Sequence, residues 1–275
     1  DHYYIFQDNG KSLWMDSGED ADKVGIVDVH MKSYMKRGKK RFNWEADMRF
    51  VDTKHIPEDE AIAAKVQSYE EYLSKKLDIE IGKTSTELDS RKKIVRTEEA
   101  AIGNLIADAM RDGVDADIGI ANGGGIRAKK IYAPGTMITR RDILSELPFG
   151  NVVVKLELTG AQIWEALENG VSQIESNAGR FPQVSGVSFI YNPKAKAGSR
   201  IISAKVGGRS LDKGRGYTVA TSDYAAGGGD GYSVFKKGKV IINASNATLM
   251  ASMVMDYIKA KGSVSPKVEG RIVAQ

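Results

Sequence analysis

The sequence predicts a mixed α/β fold, and three observations support this prediction. Short apolar runs typical of strands alternate with segments of helical periodicity from residue 79 to the end. Residues 1–55 carry only strand patterns. No repeat of fixed period is visible, so the pattern does not favour a solenoid or a propeller.

Composition narrows the classes of function. The 275 residues are 41% hydrophobic and 28% charged, which is enough for an ordinary core. A net charge of +4 is too balanced to predict a nucleic acid or membrane partner. The chain has no cysteine, which excludes disulfides, thiolate metal sites and cysteine nucleophiles. No apolar run approaches the about 18 residues of a membrane span, and no signal peptide is recognisable, so we expect a cytosolic, mature or truncated chain.

The first 78 residues divide into strands and one helix. Apolar residues from Val24 to Val29 predict a short buried strand, and residues 41–51 alternate in the same way. The basic residues 36–40 between them predict an exposed hairpin tip. Pro57 is expected to open a helix with a mostly charged surface. Its position between two regions predicts a connector over residues 56–78.

The remaining elements follow from periodicity and capping residues. Thr139 can cap a short helix, and Thr159 with Gln162 forms a capping box for the next one. Predicted helices cover residues 99–111, 139–147, 159–171 and 249–258, and predicted strands cover residues 118–121, 152–158, 184–191, 201–206 and 217–222.

A glycine run directly follows the predicted strand at 118–121. Residues 122–127 read NGGGIR. The glycines remove side chains where a ligand or another backbone must approach closely. Arg127 offers a planar set of donors suited to a phosphate, a carboxylate or two hydroxyls. A flexible turn with a surface arginine is the alternative, whereas a P-loop is excluded because its lysine and Ser/Thr are missing.

Three further segments carry candidate binding residues. Phe149 lies between Pro148 and Gly150, either exposed in a loop or packed in the core. In residues 223–232, small residues surround Tyr224 and Asp230. The Tyr224 ring could stack on a base, and the Asp230 carboxylate could accept hydrogen bonds from two hydroxyls. Residues 91–96 form either a basic edge strand or a segment that presents its last arginine to a substrate.

These segments, in this order, resemble the C-terminal domain of the 5′-nucleotidase and UDP-sugar hydrolase family. The resemblance runs from residue 95 to the Val268–Ile272 segment. It implies a four-layer α/β/β/α domain with mixed sheets over residues 79–275, a connector helix at 56–78 and a remnant of a metallophosphoesterase domain at 1–55. It also implies a secreted, periplasmic or cell-surface hydrolase of nucleoside 5′-phosphates, UDP-sugars or cyclic nucleotides.

The resemblance assigns the nucleoside contacts to particular residues. Two aromatic rings sandwich the base in that family, and they map onto Phe149 and Tyr224. The asparagine of the glycine motif maps onto Asn122, and Gly124 lies at the centre of that motif. Because stacking tolerates every base, the preferred base stays open.

The ribose and phosphate contacts are assigned in the same way. The aspartate of the second glycine motif maps onto Asp230, which would bind the ribose hydroxyls. Arg127 and the upstream Arg96 map onto the family's arginines. Many members carry a second arginine two positions after Arg96, where this chain has Glu98.

The resemblance also implies two divalent metal ions, Zn, Mn or Mg, held by an N-terminal catalytic domain. There the metals clamp the phosphate and activate a water. The start of this chain resembles the end of the family's last ligand motif, so His2 is a candidate metal ligand; a surface histidine is the alternative. His30 and His55 have no clustered ligands in the sequence. We therefore predict that this chain needs its catalytic domain for activity.

Two other classes of function fit parts of the sequence. A nucleotide- or nucleoside-binding module without hydrolytic activity is the main alternative. Residues 33–36 fit the S-x-x-K pattern of penicillin-binding acyl transferases. The companion motifs of those enzymes occur here in the wrong order, so the pattern does not favour that class.

Overall fold

The computed structural model describes residues 3–7, 12–18 and 21–275. The chain divides into two compact units, Asp1–Glu71 and Tyr72–Gln275. The candidate ligand His2 lies outside the described residues. Within the described ranges, no helix has both the length and the apolar character needed to cross a membrane.

Among its described residues, the first unit contains two antiparallel strand pairs. Strand β1 (Tyr3–Gln7) pairs with β2 (Ser12–Asp16), and β3 (Lys23–Lys36) pairs with β4 (Lys39–Asp52). The turn between β3 and β4 lies inside the predicted basic hairpin tip, as expected. The prediction of a short buried strand is wrong, because β3 has 14 residues and Val29 is 54% exposed.

Helix α1 (Glu60–Leu77) follows these strands. It begins three residues after Pro57, because the Asp59 carboxylate accepts hydrogen bonds from the N–H groups of Ala61 and Ile62 at 3.1 and 3.0 Å. Such a side chain satisfies backbone donors that a helix start leaves free. None of its residues is buried. Its role as a connector stays a prediction.

The second unit alternates strands and helices. In chain order its elements are β5 (Glu80–Thr84), β6 (Leu88–Asp89), α2 (Lys92–Val95), α3 (Ala101–Gly113), β7 (Ile118–Asn122), β8 (Ile131–Tyr132), β9 (Met137–Thr139), α4 (Arg140–Glu146), β10 (Val153–Thr159), α5 (Gly160–Val171), β11 (Pro182–Ser185), β12 (Val187–Tyr191), β13 (Ile201–Val206), β14 (Arg209–Ser210), β15 (Gly216–Ser222), α6 (Asp223–Ala226), β16 (Lys239–Ile242), α7 (Met250–Lys261), β17 (Ser263–Val264) and β18 (Ile272–Ala274).

Two mixed sheets organise this unit. The five-stranded sheet has the order β11-β7-β15-β10-β16, in which β7 and β15 are parallel and the other pairs antiparallel. The four-stranded sheet has the order β14-β13-β12-β18, in which β12 and β18 are parallel. Strands β17-β5-β9 and β6-β8 form smaller sheets. The predicted mixed α/β fold is confirmed.

Both faces of the five-stranded sheet are covered. On one face, α3 and α7 bury residues such as Met110 and Val254 against Val153. On the other face, Leu156 and Val219 belong to a second core shared with α5 and the four-stranded sheet. Burial of apolar surface on both faces is the main source of the free energy that keeps the sheet packed between its neighbouring layers.

Local signals in the sequence had mixed outcomes. The predicted capping box of Thr159 and Gln162 forms at the start of α5, and the predicted cap Thr139 forms a second box with Asp142 at the start of α4. The single strand expected over 184–191 is instead two strands in different sheets, β11 and β12. They are separated by Gly186, which has φ +71° and lies so close to Asp117 that a Cβ would be 2.1 Å from its carbonyl oxygen. Residues 92–95 form a helical turn and not a basic edge strand.

Candidate functional site

Three chain segments meet at one edge of the five-stranded sheet. Parallel neighbours β7 and β15 both end there, at Asn122 and Ser222. Strand β10 is antiparallel to β15 and pairs Val153 with Ser222, so the residues just before β10 lie at the same edge. The carboxyl ends of parallel strands are a common place for ligands in α/β sheets. The topology therefore brings the NGGGIR, Phe149 and Tyr224 segments together.

Arg96 reaches this edge through contacts of α2. Gly123 lies against α2 so closely that a Cβ would be 2.0 Å from the carbonyl oxygen of Val95. Buried Gln183 donates hydrogen bonds to the carbonyl oxygens of Val95 and Glu98, at 3.0 and 2.8 Å. These bonds fix the backbone on both sides of Arg96. Sequence reasoning missed Gln183, which lies one residue before the strand predicted at 184–191 and inside the observed β11.

An open cleft of about 560 Å³ lies at this edge. All seven candidate substrate-binding residues line it, together with Gly125, Asn151 and Gly179, which were not predicted as site residues. The cleft is lined by Arg96, Asn122, Gly124, Gly125, Arg127, Phe149, Asn151, Gly179, Tyr224 and Asp230.

The two aromatic rings are exposed to this cleft. Phe149 is 58% exposed and Tyr224 is 48% exposed, so the alternative that Phe149 packs in the core is wrong. The Tyr224 ring lies against the backbone of Gly229, where a Cβ would be 2.5 Å from a ring carbon. The Arg127 guanidinium carbon lies 5.5 Å from the centroid of the Phe149 ring, within cation–π range.

Asp230 is the hydrogen-bonding centre of the cleft. Its Oδ2 accepts from Asn122 Nδ2 at 2.7 Å, and its Oδ1 accepts from the Tyr224 hydroxyl at 3.1 Å. Partial burial and the Asp230 charge raise the pKa of Tyr224, so the hydroxyl stays protonated and donates. An ionised carboxylate has about four acceptor positions, so Asp230 keeps capacity for a ligand's hydroxyls.

Close backbone contacts explain the glycines of the cleft. A Cβ at Gly124 would be 2.7 Å from Gly179 Cα and 3.2 Å from Asp230 Oδ2. The NGGGIR segment and the loop at Gly179 therefore touch, and both lie against the Asp230 carboxylate. Asp230 itself has a left-handed backbone, with φ +51°. Such a conformation is more accessible to aspartate than to most residues.

The arginines make one end of the cleft positive. Arg96 is half-buried, and its Nη1 donates to the carbonyl oxygen of Asn177 at 3.4 Å. Its buried Nε has no hydrogen-bond partner. Burial and the neighbouring Arg127 lower the pKa of Arg96, while Asp230 raises it. Since arginine remains protonated in proteins, the pair offers donors and two positive charges to an anionic group.

Comparison with known proteins identifies the family. Residues 80–237, more than half of the chain, match the family described as 5′-nucleotidase, C-terminal domain. The chain belongs to the 5′-nucleotidase family. It is 36% identical over 232 residues, 79% of its length, to the trifunctional nucleotide phosphoesterase protein YfkN of Bacillus subtilis. It is 33% identical over 80% of its length to the snake venom 5′-nucleotidase of Gloydius brevicauda.

A solved 5′-nucleotidase precursor from Thermus thermophilus is similar over the whole chain. It matches with a TM-score of 0.72 and 31% identity, covering 99% of this chain. The chain spans only part of each of these 5′-nucleotidases. It covers 15% of the Bacillus protein, 40% of the venom protein and 54% of the Thermus chain.

The metal pair implied by the resemblance to 5′-nucleotidases does not fit the described residues. Across residues 3–7, 12–18 and 21–275, no group of three or more His, Asp or Glu side chains could hold a metal ion. His30 instead lies 3.2 Å from Asp47 on the exposed β3–β4 hairpin, and His55 is exposed. The assignment of His2 as a metal ligand stays a prediction.

Proposed function

We propose that this chain is the nucleotide-binding part of a 5′-nucleotidase that releases phosphate from nucleoside 5′-phosphates. The observation that carries the proposal is the cleft shared by two exposed rings, a carboxylate and two arginines. Aromatic rings can stack on a base, a carboxylate can accept hydrogen bonds from vicinal hydroxyls, and arginines can donate to a phosphate. Few other small molecules combine these three chemical groups.

In the proposed complex, the base stacks between Phe149 and Tyr224. Asp230 accepts hydrogen bonds from the ribose hydroxyls, and Asn122 stays bonded to its carboxylate. The phosphate lies toward Arg96 and Arg127. UDP-sugars and cyclic nucleotides place the same groups in a similar order, so they are the other substrates to test.

The rest of the proposal concerns a longer protein. Residues 1–55 would be the end of a metallophosphoesterase domain that holds two divalent ions, Zn, Mn or Mg, with His2 among its ligands, and residues 56–78 would connect it to the binding domain. A secreted, periplasmic or cell-surface location is supported by similarity to proteins named from venom. The alternative, a binding module without hydrolytic activity, is favoured by the cleft itself, whose rings, carboxylate and arginines can hold a nucleotide without a metal.

The chain by itself is expected not to hydrolyse nucleotides. Without clamping metals, the phosphate is not neutralised and no water is activated. In manganese or zinc, purified chain should release no phosphate above blank from AMP and no nucleoside monophosphate above blank from UDP-glucose or cyclic AMP. Phosphate release proportional to the concentration of this chain, with no second polypeptide in the preparation, would contradict the prediction.

Removal of the Arg127 side chain is expected to weaken AMP binding more than adenosine binding. Arg127→Ala should weaken AMP binding by about ten- to a hundred-fold, since charge-assisted hydrogen bonds contribute roughly 1.5–3 kcal/mol. Titration calorimetry with AMP and adenosine measures the difference. Arg209→Ala is the matched control, because Arg209 is exposed on β14 and does not line the cleft. An equal loss for both ligands would place the phosphate away from Arg127.

A further inference from the structure

Glu146 is a buried acidic residue directly behind the cleft. It is the last residue of α4, it is 1% exposed, and it does not line the cleft. A buried carboxylate is unfavourable unless hydrogen-bond donors surround it. Its contacts therefore indicate what the residue holds in place.

Those contacts go to the segment that carries Arg127. The Glu146 carbonyl oxygen accepts from the backbone N–H of Arg127 at 2.9 Å, and Oε2 accepts from the N–H of Ala128 at 3.2 Å. Oε1 accepts from the hydroxyl of buried Tyr132 at 2.9 Å. These partners of the side chain are donors, which a carboxylate satisfies. An amide has one acceptor oxygen, so it would either turn its NH₂ group toward the Ala128 N–H or force the Tyr132 hydroxyl to accept instead of donate.

The same residue also precedes the base-stacking loop. Phe149 follows Glu146 by three positions, and the Arg127 guanidinium carbon lies 5.5 Å from the Phe149 ring centroid. Both sides of this Arg127–Phe149 contact are thus attached to Glu146, one by hydrogen bonds and one by the chain. A shift of Glu146 would change the spacing between the arginine and the ring.

We propose that Glu146 is a positioning residue that sets the distance between the arginine and the aromatic side of the nucleotide cleft. This inference rests on the proposed nucleotide-binding function and deepens it. Glu146 contacts no ligand and acts through Arg127 and Phe149. The carboxylate form matters because its two oxygens accept hydrogen bonds from the Ala128 N–H and from the Tyr132 hydroxyl at the same time.

The surroundings of Glu146 give the proposal a pH signature. Burial raises the pKa of Glu146, while hydrogen bonds from Ser90, Tyr132 and Ala128 and the charge of Lys130 oppose that rise. Asp142, which lies 3.2 Å from Lys130, is the other acid nearby. Protonation of Glu146 turns one of its oxygens into a donor and removes an accepted hydrogen bond. Acidification should therefore hold Arg127 less firmly and lower the affinity of the cleft for its ligand.

The contribution of Glu146 to stability should respond to pH in the opposite direction. An acid whose folded-state pKa is raised contributes stability below its unfolded pKa, and this contribution is lost as pH rises through the folded pKa. Mild acid should therefore favour folding at Glu146 while it weakens binding. A residue with only a structural role would not produce opposite trends.

The test compares Glu146→Gln and Tyr132→Phe with wild-type chain by calorimetric titration of AMP and adenosine. Glu146→Gln should weaken AMP binding by about ten-fold, and Tyr132→Phe, which keeps the carboxylate, by about three-fold. Adenosine affinity should fall from neutral to mildly acidic pH in wild type and fall less in Glu146→Gln. The matched control is Glu168→Gln, a buried glutamate that accepts from Arg200 and Ile201 N–H groups, both at 2.9 Å, away from the cleft. It should bind both ligands like wild type.

The possible failures are distinguishable. If wild type binds AMP and Glu146→Gln binds equally well with an unchanged pH profile, the inference is overturned and the proposed function stands. If Glu146→Gln does not fold, Tyr132→Phe decides, and wild-type affinity in that variant overturns the inference. If wild type binds neither ligand, the proposed function fails and the inference with it. A loss in Glu168→Gln equal to that in Glu146→Gln would assign the effect to general destabilisation and overturn the inference.

Discussion

Replacement of Tyr224 by alanine is expected to weaken adenosine binding by about ten- to a hundred-fold, and Phe149→Ala is expected to do the same. Base–aromatic stacking contributes on the order of 1–3 kcal/mol per base, and about 1.4 kcal/mol corresponds to ten-fold in affinity. Both rings are largely exposed, so their removal leaves no core cavity. A second pocket of about 240 Å³ also borders Phe149.

Two further variants make the stacking test specific. Tyr224→Phe keeps the ring and removes the hydroxyl that donates to Asp230, so it should retain most of the adenosine affinity. Phe42→Ala removes a phenylalanine on the β3–β4 hairpin that is 59% exposed, almost the same as Phe149, and should change nothing. Calorimetric titration of adenosine into the four variants measures these differences. Wild-type affinity in folded Phe149→Ala and Tyr224→Ala would remove the basis for the nucleoside assignment.

The sequence predicted several of the cleft residues because they lie in segments that follow or precede a strand, whereas Arg96 follows the helical turn α2. Asn122 comes directly after an apolar run, and Tyr224 follows the strand predicted at 217–222. The glycines beside them remove side chains where another group must approach closely, and this signal is visible in the sequence. Their meeting depends on the parallel pairing of β7 and β15, which joins Val219 to Ile118. Periodicity indicates which face of a strand is buried, but it does not indicate which other strand pairs with it. The family resemblance implied that these segments share one site.

Other features were beyond the reach of local patterns. The break at Gly186 keeps the apolar pattern continuous while the chain changes sheets, so residues 184–191 looked like one strand. Gln183 and Glu146 act through donors and acceptors that are distant along the chain, such as Ala128 for Glu146 and Val95 for Gln183. Such pairs depend on the completed fold. A buried polar residue in an apolar segment indicates that a partner exists without identifying it.

Asp230 offers the sharpest test of ribose recognition, provided that the substitution respects its backbone. Its φ of +51° lies in the left-handed region, where alanine would add roughly 1–2 kcal/mol of strain. Glycine adopts that conformation freely, so Asp230→Gly removes the carboxylate with less disturbance. Asp230→Asn also tolerates the conformation and keeps one acceptor oxygen.

Asp230→Gly is expected to weaken adenosine binding by about ten- to a hundred-fold and to leave 2′,3′-dideoxyadenosine binding much less affected. Hydrogen bonds to a charged group contribute roughly 1.5–3 kcal/mol, and the dideoxy compound lacks the hydroxyls that would donate them. The adenosine affinity of Asp230→Asn should lie between those of wild type and Asp230→Gly. Because the substitution also releases Asn122 and Tyr224 from the carboxylate, a small loss for both ligands is expected. The comparison of the two ligands by calorimetry cancels that shared loss. If Asp230→Gly still prefers adenosine as strongly as wild type does, the carboxylate does not bind the ribose hydroxyls, and its role is limited to holding Asn122 and Tyr224 in place.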